Sequence, residues 1–229
     1  MKKKLRIIID VLMELLLVVL FGYNIIGSFF HELIGILLSI IFIIHIVLNF
    51  SWYKSIFRGQ YNLYRFIQLI INVLLLLTML TTAISGILIS KDIFKLNLGL
   101  NVFIYNLHKG LGYYALMLSS IHLGMHLIAL INKIKIPNVR IITLISLIVF
   151  IGLMIFTVID LQIYEYYIFT AGFRFYENAP IKFYFEIISY ILGFTSIGIY
   201  ISLLIKKLMT NKKRNYNNEK TRSRKKISR

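Results

Sequence analysis

Two stretches of the chain share one pattern: HELIGILLSIIFIIH at residues 31–45 and HKGLGYYALMLSSIH at residues 108–122. Each begins with a histidine, has a glycine four positions later and ends with a histidine fourteen positions after the first. The copies lie 77 positions apart, and each sits in an apolar run long enough to cross a bilayer. The matched residues are His31, Gly35 and His45 in the first copy and His108, Gly112 and His122 in the second.

The spacing of fourteen residues places both histidines of a copy on the same face of a helix. Fourteen residues are close to four helical turns and rise about 21 Å, so one histidine lies in each half of the membrane. If the two helices run parallel and face each other, they present two stacked pairs, His31 with His108 and His45 with His122. Two imidazoles complete the axial coordination of haem iron, which suits electron transfer. The pattern therefore predicts two haems b.

The two glycines fit the same interpretation, because a missing side chain lets a flat porphyrin approach the helix backbone. Glycine is also common in membrane helices, so Gly35 and Gly112 alone indicate little. The simpler alternative is that the intramembrane histidines only hydrogen-bond neighbouring helices. Ionisable residues are rare in membrane spans and mostly functional, and four at matched spacing favour haem ligation.

A fifth histidine leaves the choice of one inner ligand open. His126 follows His122 by one helical turn, and either of them could lie at the depth of His45. The repeat of the fourteen-residue spacing favours His122 as the ligand. In that case His126 would contact the edge of the haem or lie near a quinone.

The composition is that of a membrane protein: 59% of the 229 residues are hydrophobic, and the mean hydropathy is +0.80. We expect an all-α fold in which residues 1–205 form one haem-binding bundle, with the ligand helices at residues 31–51 and 108–131. The sequence has no cysteine, which excludes a cysteine-anchored haem, a cysteine-ligated iron–sulfur cluster and a disulfide. Six transmembrane spans are predicted at residues 7–28, 32–51, 66–90, 108–131, 140–163 and 183–205.

The basic residues predict the orientation of this bundle. With six spans both termini lie on one side, which then carries 21 Lys and Arg residues against 5 on the other. Basic residues accumulate on the cytoplasmic side, so we expect cytoplasmic termini and an outer loop at residues 164–182. The basic tail of residues 206–229 is expected to be disordered and attracted to anionic membrane lipid. Orientation thus explains the net charge of +17 without a nucleic-acid partner.

The stretches HELIGILLSIIFIIHIVLN and LHKGLGYYALMLSSIHLGMHL resemble the haem-binding helices of small bacterial b-type cytochromes, among them ferric-reductase-like membrane domains. In a related domain family, a His-x-x-x-His ending similar to His122 and His126 recurs. The resemblance covers residues 28–131 and implies a bacterial plasma-membrane protein with two haems b and an extracytosolic partner, often a flavoprotein. A ferric reductase normally carries a cytoplasmic flavin and nicotinamide domain, and this sequence has no glycine-rich phosphate-binding loop for one.

These observations predict transmembrane electron transfer by a dihaem cytochrome b. The donor would be a quinol or a cytoplasmic reductant, and the acceptor an extracytosolic flavoprotein or metal. Whether the chain is an enzyme or an electron-transfer subunit stays open. One alternative is an anchor subunit that passes electrons from an outer dehydrogenase to quinone. Another is a histidine-lined metal transporter, but transporters typically have inverted repeats and broken helices, whereas this repeat is parallel.

Overall fold

The computed structural model describes residues 2–96, 98, 102–134, 139–171 and 180–227, with side chains for 4–96, 98, 102–128, 141–171 and 180–211. Every regular element within these ranges is a helix, which confirms the predicted all-α class. In chain order the helices are α1 (Lys2–Phe21), α2 (Tyr23–Ile26), α3 (Ser28–Leu48), α4 (Phe50–Ser55), α5 (Leu63–Leu88), α6 (Val102–Ile134), α7 (Val139–Asp160), α8 (Ile163–Tyr167) and α9 (Pro180–Ile227).

Five helical segments of the described chain are long and apolar enough to cross a membrane. They carry exposed apolar side chains, such as those of Ile43, Ile148 and Ile159, which suit contact with lipid. Together they indicate a multi-pass membrane protein. The segments are Ser28–Leu48, Leu63–Leu88, Val102–Ile128, Ile141–Asp160 and Pro180–Asn211.

The first predicted span, residues 7–28, is not among these five segments. Its helix, α1, ends at Phe21, and the chain then turns through Gly27, whose φ of 81° is readily adopted only by glycine. The charged residues in α1 lower its apolar character below that of the other long helices. They are Lys2, Lys3, Lys4, Arg6, Asp10 and Glu14.

Helix α1 nevertheless lies antiparallel to α3 along its whole length. At one end the Arg6 guanidinium donates to the Leu48 carbonyl at 2.6 Å, and one turn further Asp10 accepts from His45 at 2.8 Å. At the other end the imidazole of His31 donates to the Leu20 carbonyl at 3.0 Å. Arg6 and Asp10 of α1 therefore hydrogen-bond to polar groups of α3.

The centre of the bundle is α6, which packs between α5 and α9, while α9 also packs along α7. Glycines allow α6 and α9 to approach closely. A Cβ on Gly124 would collide with the Thr195 carbonyl, and one on Gly198 would collide with the Ile121 carbonyl. The backbones of α3 and α6 are not packed together in this way, and side chains fill the space between these two helices.

Helix α9 continues to Ile227, so most of the tail at residues 206–229 is helical, which differs from the expected disorder. A tail that extends an existing helix avoids the cost of helix nucleation, and Lys, Arg and Glu are good helix formers. The predicted outer loop at residues 164–182 is also partly helical, since it contains most of α8. Residues 172–179 of that loop lie outside the described part of the chain.

Candidate functional site

The structure brings together the first histidines of the two sequence copies. The ring centroids of His31 on α3 and His108 on α6 are 6.1 Å apart, with an angle of 74° between the ring planes. An imidazole nitrogen lies about 2.0–2.1 Å from a bound metal ion, so two rings on opposite sides of one ion have centroids about 6 Å apart. The spacing of this pair therefore suits two axial ligands of one iron.

Backbone carbonyls hold both of these imidazoles by the Nδ1 atom. His31 Nδ1 donates to the Leu20 carbonyl at 3.0 Å, and His108 Nδ1 donates to the Thr82 carbonyl at 3.0 Å. The Ser85 hydroxyl lies 3.2 Å from the same Nδ1 of His108. Metal-ligating histidines generally donate their second ring N–H in this manner, which fixes the tautomer and leaves Nε2 for the metal.

Next to His31, the Glu32 carboxylate holds the chain that follows α5. It accepts hydrogen bonds from the Ser90 hydroxyl at 2.7 Å and from the backbone N–H groups of Lys91 at 2.7 Å and Ile93 at 2.8 Å. The N–H of Asp92 adds a fourth donor at 3.1 Å. Charge-assisted hydrogen bonds of this kind are strong, so Glu32 fixes this loop beside the His31–His108 pair.

The second histidines of the two copies lie together near the other end of the same helices. His45 Nδ1 donates to the Asp10 carboxylate at 2.8 Å, and His122 Nδ1 donates to the Asn72 side-chain oxygen at 2.7 Å. His45 and Asp10 are close enough to His122 to interact with it electrostatically. All four histidines of the repeat are thus held by Nδ1.

The fifth histidine has a different environment. The ring centroids of His126 and His122 are 4.5 Å apart, and His126 is exposed. Within the described part of the chain His126 makes no hydrogen bond, whereas His122 is anchored by Asn72. An anchored imidazole is the better-oriented metal ligand. His126 nevertheless interacts electrostatically with Asp10 and His45, as His122 does, so both rings of α6 lie near the His45 level. The choice of His122 stays a prediction, which the hydrogen bond to Asn72 favours.

The two glycines of the repeat do not serve close helix packing. A Cβ on Gly35 would meet only the Leu20 side chain at 4.0 Å, and one on Gly112 only the Phe21 side chain at 3.9 Å. Both are ordinary contacts with the ends of side chains, unlike the backbone collisions at Gly124. The end of α1 thus lies beside both glycines, and Leu20 and Phe21 are the first groups that a porphyrin between α3 and α6 would displace.

A small cavity of about 40 Å³ lies between the two levels of histidines. Small-molecule sites are typically about 300–1,000 Å³, so a porphyrin would require side chains of α1 and α3 to move. The buried Oε1 atom of Glu14 has no hydrogen-bond partner. The cavity is lined by Met13, Glu14, Leu17, Leu38, Phe42, Leu75, Met79 and Ser119.

Aromatic side chains pack on the α6 side of the same region. The ring of Tyr113 lies 4.8 Å from that of Phe21 and 4.7 Å from that of Tyr166. The hydroxyls of Tyr167 and Tyr190 hydrogen-bond to each other. Burial raises the pKa of Tyr167 to about 12, so its hydroxyl stays protonated at neutral pH. These contacts fasten α8 against α6 and α9.

The part of the chain that the structure describes contains no site in which protein ligands alone enclose a metal ion. Among the described residues, no group of three or more His, Cys, Asp or Glu side chains is placed to hold one. Enclosed metal sites need about three to four protein ligands, whereas haem iron needs two axial ones.

Sequence reasoning did not find the partners of the histidines. Asn72 and Asp10 are polar residues within predicted membrane spans, and that position is the signal that could have drawn attention to them. The other two acceptors, of Leu20 and Thr82, are backbone carbonyls, which every residue has, so the sequence cannot single them out.

No family model, no curated protein and no solved structure matches this chain. The proposal for its function therefore rests on the sequence pattern and on this geometry.

Proposed function

We propose that this chain is a dihaem cytochrome b that transfers electrons across a membrane. His31 and His108 would hold the outer haem through Nε2, and His45 and His122 would hold the inner one. This proposal agrees with the resemblance of residues 28–131 to small bacterial b-type cytochromes. The haem iron, when bound, supplies one-electron oxidation and reduction.

One observation carries the proposal: all four histidines of the repeat donate Nδ1–H to a neighbouring oxygen. The acceptors are two backbone carbonyls, one carboxylate and one amide, at distances between 2.7 and 3.0 Å. Histidines that only join helices have no reason to share one tautomer. In each ring, the nitrogen that remains for axial ligation is then Nε2.

The contact between α1 and α3 supports a sixth span. Because α1 accompanies α3 from Leu48 to His31, it would cross the same thickness of membrane as α3. Six crossings return the C-terminus to the side of the N-terminus, and the charge distribution makes that side the cytoplasm. The His45 level is then the inner one and the His31 level the outer one.

The residues of the chain have distinct tasks in this function. The histidines bind the two groups, and their Nδ1 partners orient the rings. Gly35 and Gly112 leave room at the helix surfaces, and the surrounding apolar side chains exclude water. The electron donor would be a quinol or a cytoplasmic flavoprotein, and the acceptor an extracytosolic flavoprotein or metal.

Electron paramagnetic resonance of the oxidised, purified protein tests the proposed ligation. Two histidines on each iron predict low-spin signals and no high-spin signal. His31→Ala and His45→Ala should each abolish one low-spin species and leave the other. A high-spin signal as the main species of the unmodified protein would contradict four-histidine ligation.

A further inference from the structure

The two levels of histidines differ in the charge of the groups that hold them. At the outer level both Nδ1 atoms donate to neutral backbone carbonyls, those of Leu20 and Thr82. At the inner level His122 donates to the neutral amide of Asn72, but His45 donates to the carboxylate of Asp10. Only one of the four ligands in the described structure is thus paired with an acidic side chain.

Asp10 has no Lys or Arg partner among the side chains that the structure describes. The partner of its carboxylate is the His45 ring. Arg6, one turn earlier on α1, donates instead to the Leu48 carbonyl at 2.6 Å. The Asn49 side-chain amide donates to the His45 carbonyl at 3.0 Å. It also lies 3.5 Å from each ring nitrogen of His45, which is at the limit of a hydrogen bond.

The outer level also has a carboxylate, but it is used differently. Glu32 follows His31 directly, and its oxygens accept four hydrogen bonds from Ser90 and from the backbone N–H groups of residues 91–93. It makes no hydrogen bond to either outer histidine. Glu32 therefore holds a loop, whereas Asp10 holds a ligand.

A carboxylate that accepts the second N–H of a ligating imidazole makes that imidazole a stronger electron donor. Its negative charge also lies close to the metal. Both effects favour the ferric iron over the ferrous iron, which lowers the reduction potential, and hydrogen bonding around the ligands is one of the protein's means of tuning it.

Resting on the proposed function, we infer that Asp10 is a positioning residue that makes the inner haem the lower-potential one of the two. An electron from a quinol or a reduced flavin on the cytoplasmic side then moves spontaneously to the outer level. The donor is oxidised by one electron at the inner level, and an extracytosolic acceptor is reduced by one electron at the outer level. This order of the two potentials favours electron transfer from the cytoplasmic side to the outer side.

Spectroelectrochemical titration of the full-length purified protein tests this inference with the variant Asp10→Asn. The amide has the same shape but lacks the charge. The lower of the two midpoint potentials should rise, and the equilibrium constant for moving one electron from the inner to the outer level should fall about tenfold, or about 59 mV for a one-electron couple. The other potential should stay unchanged, with two haems still bound.

Asp160→Asn is the matched control, because it makes the same chemical change at an aspartate that pairs with Lys182 at 2.8 Å rather than with a histidine. It should leave both midpoint potentials close to their original values. The His31→Ala variant identifies the inner haem, since it retains the His45 level.

Three results would overturn the inference. They are an unchanged pair of potentials in Asp10→Asn, an equal shift in Asp160→Asn, and assignment of the lower potential to the outer haem. Each of these leaves two bound haems, so the proposed function would survive. An unmodified protein that binds no haem would instead contradict the proposed function itself.

Discussion

His31 and His108 face each other across the space between α3 and α6, with ring centroids 6.1 Å apart. They are 77 residues apart in the chain, and the backbones of their helices do not pack closely. Each ring is turned by a hydrogen bond to a carbonyl of a third helix, Leu20 of α1 or Thr82 of α5. The pair is therefore positioned by four helices.

Removing one ring of this pair should affect one of the two proposed haems. His108→Ala leaves His31 without its partner, and we expect the haem content to fall from two to one per chain or the outer haem to become high-spin. Replacing Ser85 by Ala serves as the control, since the Thr82 carbonyl still accepts from Nδ1. Retention of two low-spin haems in His108→Ala would contradict the assignment.

The two histidines near the end of α6 should respond differently to replacement. His122→Ala should remove the inner haem or make it high-spin, because the anchored ring is lost. His126→Ala should keep two six-coordinate haems and shift at most one potential. Resonance Raman spectra distinguish the spin states. High-spin haem in His126→Ala together with an unchanged His122→Ala would show that the ligand is His126.

The glycines allow packing and haem binding to be separated. Gly124→Ala should lower the free energy of unfolding by about 1–3 kcal/mol, because its Cβ collides with the Thr195 carbonyl. Gly112→Ala should not, since its Cβ meets only the Phe21 side chain at 3.9 Å. Gly112→Leu should instead reduce haem content. Thermal unfolding and the haem absorbance are measured for each variant. Equal destabilisation by Gly124→Ala and Gly112→Ala would contradict the separate roles of the two glycines.

Glu32 should matter for the stability of the outer loop. Glu32→Ala leaves the Ser90 hydroxyl and the N–H groups of residues 91–93 without their acceptor, at a cost of about 1–3 kcal/mol. Hydrogen exchange of residues 90–94 should accelerate. Asp92→Asn is the control, because the Oδ2 atom of Asp92 has no hydrogen-bond partner. Equal hydrogen-exchange rates of residues 90–94 in Glu32→Ala and in the unmodified protein would show that Glu32 does not stabilise this loop.

The proposed orientation can be tested with reporter fusions. A reporter that is active only in the cytoplasm should be active when it is fused at residue 229 or at the N-terminus. A reporter that is active only after export should be active when it is inserted within residues 164–182. A reporter active outside at only one terminus would show that α1 does not cross the membrane. An exported reporter active at both termini would invert the inner and outer labels.

The helical class and the membrane spans could be predicted because apolar runs of this length have few other stable states. The repeat also indicated which histidines share a level, and the structure places His31 beside His108. The partners of these rings could not be predicted, because a spacing within one helix says nothing about which residue of another helix lies opposite. Asp10 shows this: its charge weakens α1 as a predicted span, yet in the folded chain it accepts from His45.

Haem content per chain is the most direct test of the central claim. Pyridine haemochrome analysis of protein purified from haem-replete cells, combined with quantitative amino-acid analysis, measures it. The account predicts two haems b per chain, with a reduced-minus-oxidised spectrum typical of two histidines on each iron. Protein that is correctly folded but free of haem, or that holds zinc or non-haem iron in its place, would contradict it.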